Sequence, residues 1–363
     1  MSDIARLHDF GQSPWYDNLA RSLLHGGGLA RLISDDGIRG VTSNPTIFEK
    51  AMAAGEGYDA QLAACAADGL SIEDSYWQLV LDDVATAADL LRGLYDSSGG
   101  ADGFVSIEVS PELAHDTDAT ITQAASLFEH LGRPNVMIKI PATIEGLPAI
   151  TANIAAGINT NVTLIFSLAR HDAVIDAYLA GLEQLVADGG DPASVASVAS
   201  FFVSRVDTET DHRLPEPSPL RGKAAVANAK LAYQLFRERF AGDRWAALAS
   251  RGATLQRPLW ASTSTKNPAY PSTLYVDELI GPDTVNTLAP ASIDALHNGE
   301  ATLAADTVAA DVDGAAAVMR DLDAAGVDFD DVTATLEREG VASFAASFRD
   351  ALSTLEKRRA EVS

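Results

Sequence analysis

Cysteine is nearly absent. Cys65 stands alone in 363 residues, so neither an intrachain disulfide nor a cysteine-rich metal centre can form, and a reducing compartment suits the chain. Its surroundings, AACAADG, read as helix and make it an inert, buried thiol. Positive charge is also short: 26 Lys and Arg face 51 Asp and Glu, and the net charge of −25 repels nucleic-acid phosphates and anionic lipid. Nucleic acid and membrane are therefore not expected partners, whereas a small anionic substrate remains open, because a few cations around a cleft set the local field. Apolar runs stop short of the ~18 residues of a membrane span. The opening MSDIARLHDF lacks the basic and apolar regions of a secretion signal, so the expectation is a cytoplasmic protein. There is no GxGxxG, P-loop or GxSxG motif, and the seven histidines show no ligand spacing. With only six lysines (50, 139, 223, 230, 266, 357), one that sits in an apolar strand asks for a reason.

What is present fits a globular α/β protein: 47% of residues are apolar and 21% charged, unlike a disordered chain or a coiled-coil rod. Short apolar or alternating runs recur between Ala/Leu-rich amphipathic stretches, the pattern of strands feeding helices. Strands read near 13–17, 38–44, 103–109, 135–140, 161–166, 198–204, 257–264 and 284–289. Helices read at 71–96, with Ser71 and Asp74 as a capping pair, at 111–132 and at 221–241. Eight strands separated by helices predict a (β/α)8 TIM barrel rather than an open doubly wound sheet. Extra helices fall between strands 2 and 3 and at the C-terminus. The expected organisation is one domain over 1–363, with a helical insertion about 45–102 and a helical extension about 291–363 broken at Gly299, Gly314, Gly326 and Gly340. Residues 206–220 (VDTETDHRLPEPSPL) read as a long polar loop.

Strand alternation sorts side chains between the barrel interior and the helix layer. In 103–109 the apolar Val105, Ile107 and Val109 suit the helices, which sends Phe104, Ser106 and Glu108 inward. The same parity puts Met137 and Lys139 inward. It also puts Asn161, Thr163 and Ile165 inward, with Val162, Leu164 and Phe166 outward. Gly40, Thr42 and Asn44 align, as do Trp260, Ser262, Ser264 and Lys266. Polar groups thus gather towards the C-terminal strand ends, where barrel enzymes hold their sites. An inward Lys139 has two readings: a structural ion pair with Glu108, or a Schiff-base nucleophile freed by desolvation, with Glu108 and Thr163 relaying protons.

Six segments, GVTSNPTIFEKA (40–51), VSIEVSPELAHDT (105–117), VMIKIPATIEGLPAI (136–150), GINTNVTLIFS (157–167), VASFFVSRVD (198–207) and ASTSTKNPAY (261–270), closely resemble transaldolases in their longer bacterial form. The resemblance runs in order over roughly residues 10–300 and implies a metal-free, cofactor-free Schiff-base mechanism in the non-oxidative pentose phosphate pathway. It makes Lys139 the Schiff-base lysine, with Glu108 and Thr163 holding the water that shuttles protons. It makes Asp17, in SPWYD, the acid/base at the C4 hydroxyl, and Asn44 and Asn161 the residues holding the dihydroxyacetone part. Ser200 and Arg205 match the sixth-strand serine and phosphate arginine. The short family form carries a second phosphate arginine in S-F-R-N. Here S-T-K-N supplies Lys266, which keeps the charge and loses the bidentate fork.

The same residues have plainer readings. Asp17 could cap a helix starting at Asn18, and Asn44 before Pro45 could be a turn residue. Arg205, out of parity with Ser200, lies past a bulge or the strand end and could be a surface residue. Asn161-Val-Thr163 fits the glycosylation pattern, a chance match in a strand. Two rival functions stand beside transfer between sugar phosphates. One is a class I aldolase that releases dihydroxyacetone. The other is a sugar-phosphate-binding barrel without turnover, which needs no amine nucleophile.

Overall fold

Parallel strands close into a barrel in chain order: β1 (Gln12–Asp17), β2 (Gly40–Thr42), β3 (Phe104–Glu108), β4 (Val136–Pro141), β5 (Thr160–Ile165), β6 (Ser197–Phe202), β7 (Gln256–Ala261) and β8 (Thr284–Leu288), which pairs back to β1. The computed structural model describes residues 2–55 and 57–362. All eight strands expected from the pattern are present, and with the surrounding helices they form the (β/α)8 barrel. Val105, Ile107, Val136, Ile138 and Ile140 bury β-branched side chains outward, the composition that favours strands packed under helices. Inside, the lower half is filled by rings. Phe104 lies 6.3 Å from Trp15, and Gly40 is glycine because any Cβ there would meet the Trp15 indole. This plug leaves the C-terminal half of the barrel to polar side chains.

Between β2 and β3 run helices Pro45–Ala54, Asp59–Ala67 and Ile72–Ser97. The last begins as read, with Ser71 Oγ accepting from the Asp74 amide at 3.0 Å. After β8 come Pro290–His297, Val312–Ala324 and a final helix, Phe329–Val362. That final helix packs on all three inserted helices and on Ser204–Arg213. Its buried stripe of Val332, Leu336, Gly340, Phe344, Phe348, Ala351 and Leu355 keeps the three- and four-residue spacing of one helical face. Phe348 meets Tyr76 edge-on at 5.0 Å, and Arg358 pairs with Asp59 at 2.5 Å. Each phenylalanine buried on this stripe contributes about 1.5–3 kcal/mol, so the helix is held mainly by its apolar face.

Several expectations need correction. The segment read as a polar loop over 206–220 is half helix, Ser204–Arg213, because Asp207 and Asp211 find partners elsewhere. Asp207 accepts from the Ala225 amide and Tyr275 hydroxyl, and Asp211 from the Gly222 amide and Tyr270 hydroxyl. The helix read at 111–132 is a short 3-10 turn at Pro111–Leu113, then Thr117–Leu131 capped by Asp116. Of the expected breaks, Gly299 and Gly326 do end helices, but Gly314 sits in the first turn of Val312–Ala324 and Gly340 lies inside the final helix. In β5, Leu164 adopts φ 60° and the register slips between Val162 and Ile165. Ile165 therefore pairs beside Phe201, which packs outward on His171, and Leu164 turns to meet the final helix at Gly340. In β7, Trp260 likewise packs on Phe201 in the outer layer, while Leu259 and Ala261 face inward with Ser200. Ser262, at φ 58°, breaks the alternation after the strand ends.

Candidate active site

The C-terminal mouth of the barrel opens into a cavity of about 530 Å³, whose floor is strand and whose walls are loop and helix. Neighbouring strands place Glu108 beside Lys139 in register, and the Lys139 Nζ donates to Glu108 Oε2 at 3.0 Å and to the Ser43 carbonyl at 3.2 Å. Their side chains are 6% and 4% exposed. Burial pushes the Glu108 carboxyl above its ordinary range, and the Lys139 charge only partly offsets this. Lys139 reaches the cavity. Glu108 lies behind it, lining a separate small void with Tyr76 and Phe348.

Asp17 ends β1 opposite Thr42 of β2, whose hydroxyl donates to Asp17 Oδ1 at 2.7 Å. The next helix starts at Arg21 without a side-chain cap, so Asp17 caps nothing. Burial raises its pKa, against the pull of the Thr42 hydrogen bond and of Lys139, Lys266 and Arg205. Asn44 does cap a helix, Pro45–Ala54, by accepting from the Ile47 amide at 3.0 Å, and it also lines the cavity. The plain and functional readings of Asn44 are therefore compatible.

Thr163 faces the cavity with its hydroxyl buried and, among the described residues, without a hydrogen-bond partner. Asn161 is not on the cavity wall. It is fully buried, donating to Ser106 at 3.0 Å and accepting from Ser200 at 2.7 Å, and so aims the Ser200 side chain that does line the cavity. The same burial removes it as a glycosylation acceptor.

Arg205 lies just beyond β6, second in helix Ser204–Arg213, with its guanidinium carbon 5.4 Å from the Phe202 ring centre. Lys266, in the segment after β7, donates to Ser264 at 2.8 Å. Its side chain is open to solvent as a whole, but its ammonium sits in the crowded cavity rim. That crowding, and then Arg205 nearby, hold its pKa below the usual lysine range.

Lys50 and Phe344 are among the cavity residues that the sequence did not single out. Lys50 joins Arg205 and Lys266 among the cavity cations, and its signal was present: Ile47, Lys50, Ala51 and Ala54 line the cavity at i, i+3, i+4 and i+7 of one helix. Phe344 arrives from the final helix with no local signal at all. Chemically, the cavity offers an amine beside a buried acid, a second carboxylate across the mouth, and cations at its rim. Among the described residues no group of three or more His, Cys, Asp or Glu is placed to hold a metal ion, and no helix is long and apolar enough to cross a membrane.

Comparison with known proteins agrees with this geometry. Residues 14–355 match the family model described as transaldolase/fructose-6-phosphate aldolase. A transaldolase of Saccharopolyspora erythraea is 51% identical over 98% of this chain and 97% of its own length. Transaldolase 1 of Streptomyces coelicolor is 51% identical over 98% and 94%, and a transaldolase of Thermobifida fusca 51% over 97% and 96%. Identity of this depth, spread over nearly the whole barrel and its final helix, makes the chain an enzyme of the transaldolase/fructose-6-phosphate aldolase family.

Proposed function

We propose that the enzyme is a transaldolase, moving a three-carbon dihydroxyacetone unit from a ketose phosphate such as fructose 6-phosphate or sedoheptulose 7-phosphate to an aldose phosphate. The observation that carries this is the buried Lys139–Glu108 pair, whose lysine reaches a cavity that also holds Asp17 and the cations Lys50, Arg205 and Lys266. Two opposite charges are costly to bury. Burial raises the Glu108 carboxyl above its ordinary range and so makes it the stronger base beside Lys139. The free amine attacks C2 of the ketose. Water then leaves through a relay for which Thr163 offers its unpaired hydroxyl, and an iminium forms. Asp17 takes the C4 hydroxyl proton, the C3–C4 bond breaks towards the iminium, and the aldose phosphate departs. The enamine left on Lys139 adds to a second aldose phosphate and the steps reverse. Ser200 and Asn44 face the dihydroxyacetone part, with Asn161 holding Ser200 in place. Arg205 and Lys266 hold the phosphate, Lys266 as a point charge where a fork would give two parallel hydrogen bonds.

Borohydride tests the reading, because hydride captures an iminium. Treatment with fructose 6-phosphate should inactivate the enzyme and leave a reduced three-carbon unit on Lys139. A coupled assay with fructose 6-phosphate and erythrose 4-phosphate should show transfer that a chelator does not slow. Turnover without any adduct, or an adduct confined to another lysine, would sink the assignment.

A further inference from the structure

The final helix touches the site at three successive turns of one stripe. Gly340 brings it onto β5 beside Thr163: a Cβ at that position would come within 2.9 Å of Leu164 Cδ2. Phe348 fills the space behind Glu108. Between them Phe344, 3% exposed, stands in the cavity wall with its ring centre 5.5 Å from Lys139 Nζ and 6.0 Å from the Arg205 guanidinium carbon. Polar contacts hold the helix along its length: Glu337 with Arg170 at 3.2 Å, Ser347 with Thr46 at 2.8 Å and Arg349 with Glu112 at 2.7 Å. The ring is therefore a fixed part of the wall.

A ring so placed occupies space from which water would reach the carbon joined to Nζ, and its electron-rich face attracts a cation on that nitrogen. After cleavage the enamine has two fates. It can add to an incoming aldehyde, which is transfer. Alternatively its terminal carbon takes a proton, water adds to the resulting imine carbon, the C–N bond breaks, and dihydroxyacetone leaves with the lysine amine restored. Both fates end with water adding at that carbon, but release needs it while only the three-carbon unit is bound, before an aldehyde fills the cavity. We propose that Phe344 sets the partition between transfer and release by keeping bulk water from the Schiff-base carbon while the three-carbon unit waits on Lys139. The proposal rests on the Schiff-base reading above.

The test uses the full chain and its Phe344→Ala, Phe344→Gln and Phe344→Leu variants. For each, dihydroxyacetone released from fructose 6-phosphate without acceptor is divided by the transfer rate with erythrose 4-phosphate. Phe344→Ala should raise this ratio about tenfold, which is ~1.4 kcal/mol between the two barriers. Phe344→Gln, which keeps length but wets the wall, should move it the same way and serves where the alanine variant does not fold. Phe344→Leu, which keeps apolar bulk without a π face, should stay near the parent ratio. Release and transfer falling together at a constant ratio in the alanine and glutamine variants would reduce Phe344 to a structural prop and overturn the proposal, as would a leucine variant shifted as far as alanine. Failure of the parent enzyme to form a borohydride adduct on Lys139 is a separate result, and it would remove the Schiff-base reading itself.

Discussion

Replacing Asp17 by Asn isolates one proton transfer. The amide is nearly isosteric, and its oxygen can still accept the 2.7 Å hydrogen bond from Thr42, so the β1–β2 contact survives. Lys139 and Glu108 are untouched, so the amine should still condense with the ketose. What disappears is the group that removes the C4 hydroxyl proton. Loss of one positioned acid/base lowers turnover by about 10²–10⁴-fold, or ~2.7–5.4 kcal/mol of barrier. Cleavage then becomes slower than condensation, and the six-carbon imine accumulates. Mass spectrometry after borohydride should therefore find the whole ketose phosphate on Lys139, in place of the three-carbon remnant seen with the parent enzyme. Lys139→Ala is the control: it should neither turn over nor form an adduct. A three-carbon adduct with near-normal turnover in Asp17→Asn would refute the role given to Asp17.

The same variant should be more stable than its parent at neutral pH. With the folded Asp17 pKa raised, the native state binds the extra proton above the ordinary carboxylate pKa, so the charged side chain costs stability as pH rises. Thermal unfolding should show a gain at pH 7 that vanishes below about pH 4, and a loss at pH 7 would contradict the burial argument. Arg205→Ala and Lys266→Ala should each raise KM for phosphorylated sugars by roughly 1.5–3 kcal/mol and leave KM for free sugars nearly unchanged. Steady-state kinetics on both substrate kinds decide this, and equal damage to both would mean a structural role. Near-normal activity in Lys266→Arg would show that the rim has room for the fork. His171 is fully buried, neither ring nitrogen finds a hydrogen-bond partner among the described residues, and burial lowers its pKa to about 4. The unfolded state takes up that proton first, so stability falls as the pH drops from ~6.5, by about 2 kcal/mol between pH 7 and 5. Urea unfolding at the two pH values should show this contribution in the parent and lose it in His171→Leu.

The barrel was legible because outward β-branched runs announce buried parallel strands, and because parity alone put Lys139 and Glu108 on one face of adjacent strands. Parity failed where the backbone left the β region. Nothing in LIFS marks Leu164 for a left-handed φ, and Ser262 likewise gives no local sign. The helix at Ser204–Arg213 was hidden because its polar residues looked solvent-bound, while Asp207 and Asp211 are paired with groups distant in sequence. Gly340 read as a break since glycine weakens a helix by ~1 kcal/mol. Its use is the close approach to Leu164, which only the packed structure reveals. Phe344 was illegible for a related reason, since a phenylalanine in an amphipathic stripe looks the same whether it faces core or substrate.

The ring beside Lys139 also sets an order of events at the ribosome. All eight strands, and with them Lys139, Glu108 and Asp17, are encoded before residue 289, whereas Phe344 belongs to the final helix. At about 5–20 residues per second, several seconds of translation separate the last strand from that ring. A nascent barrel closed in this interval carries its lysine without the aromatic wall. Assembly of the cavity is therefore completed only when the final helix docks on the inserted helices, and until then the barrel has its nucleophile but not its seal.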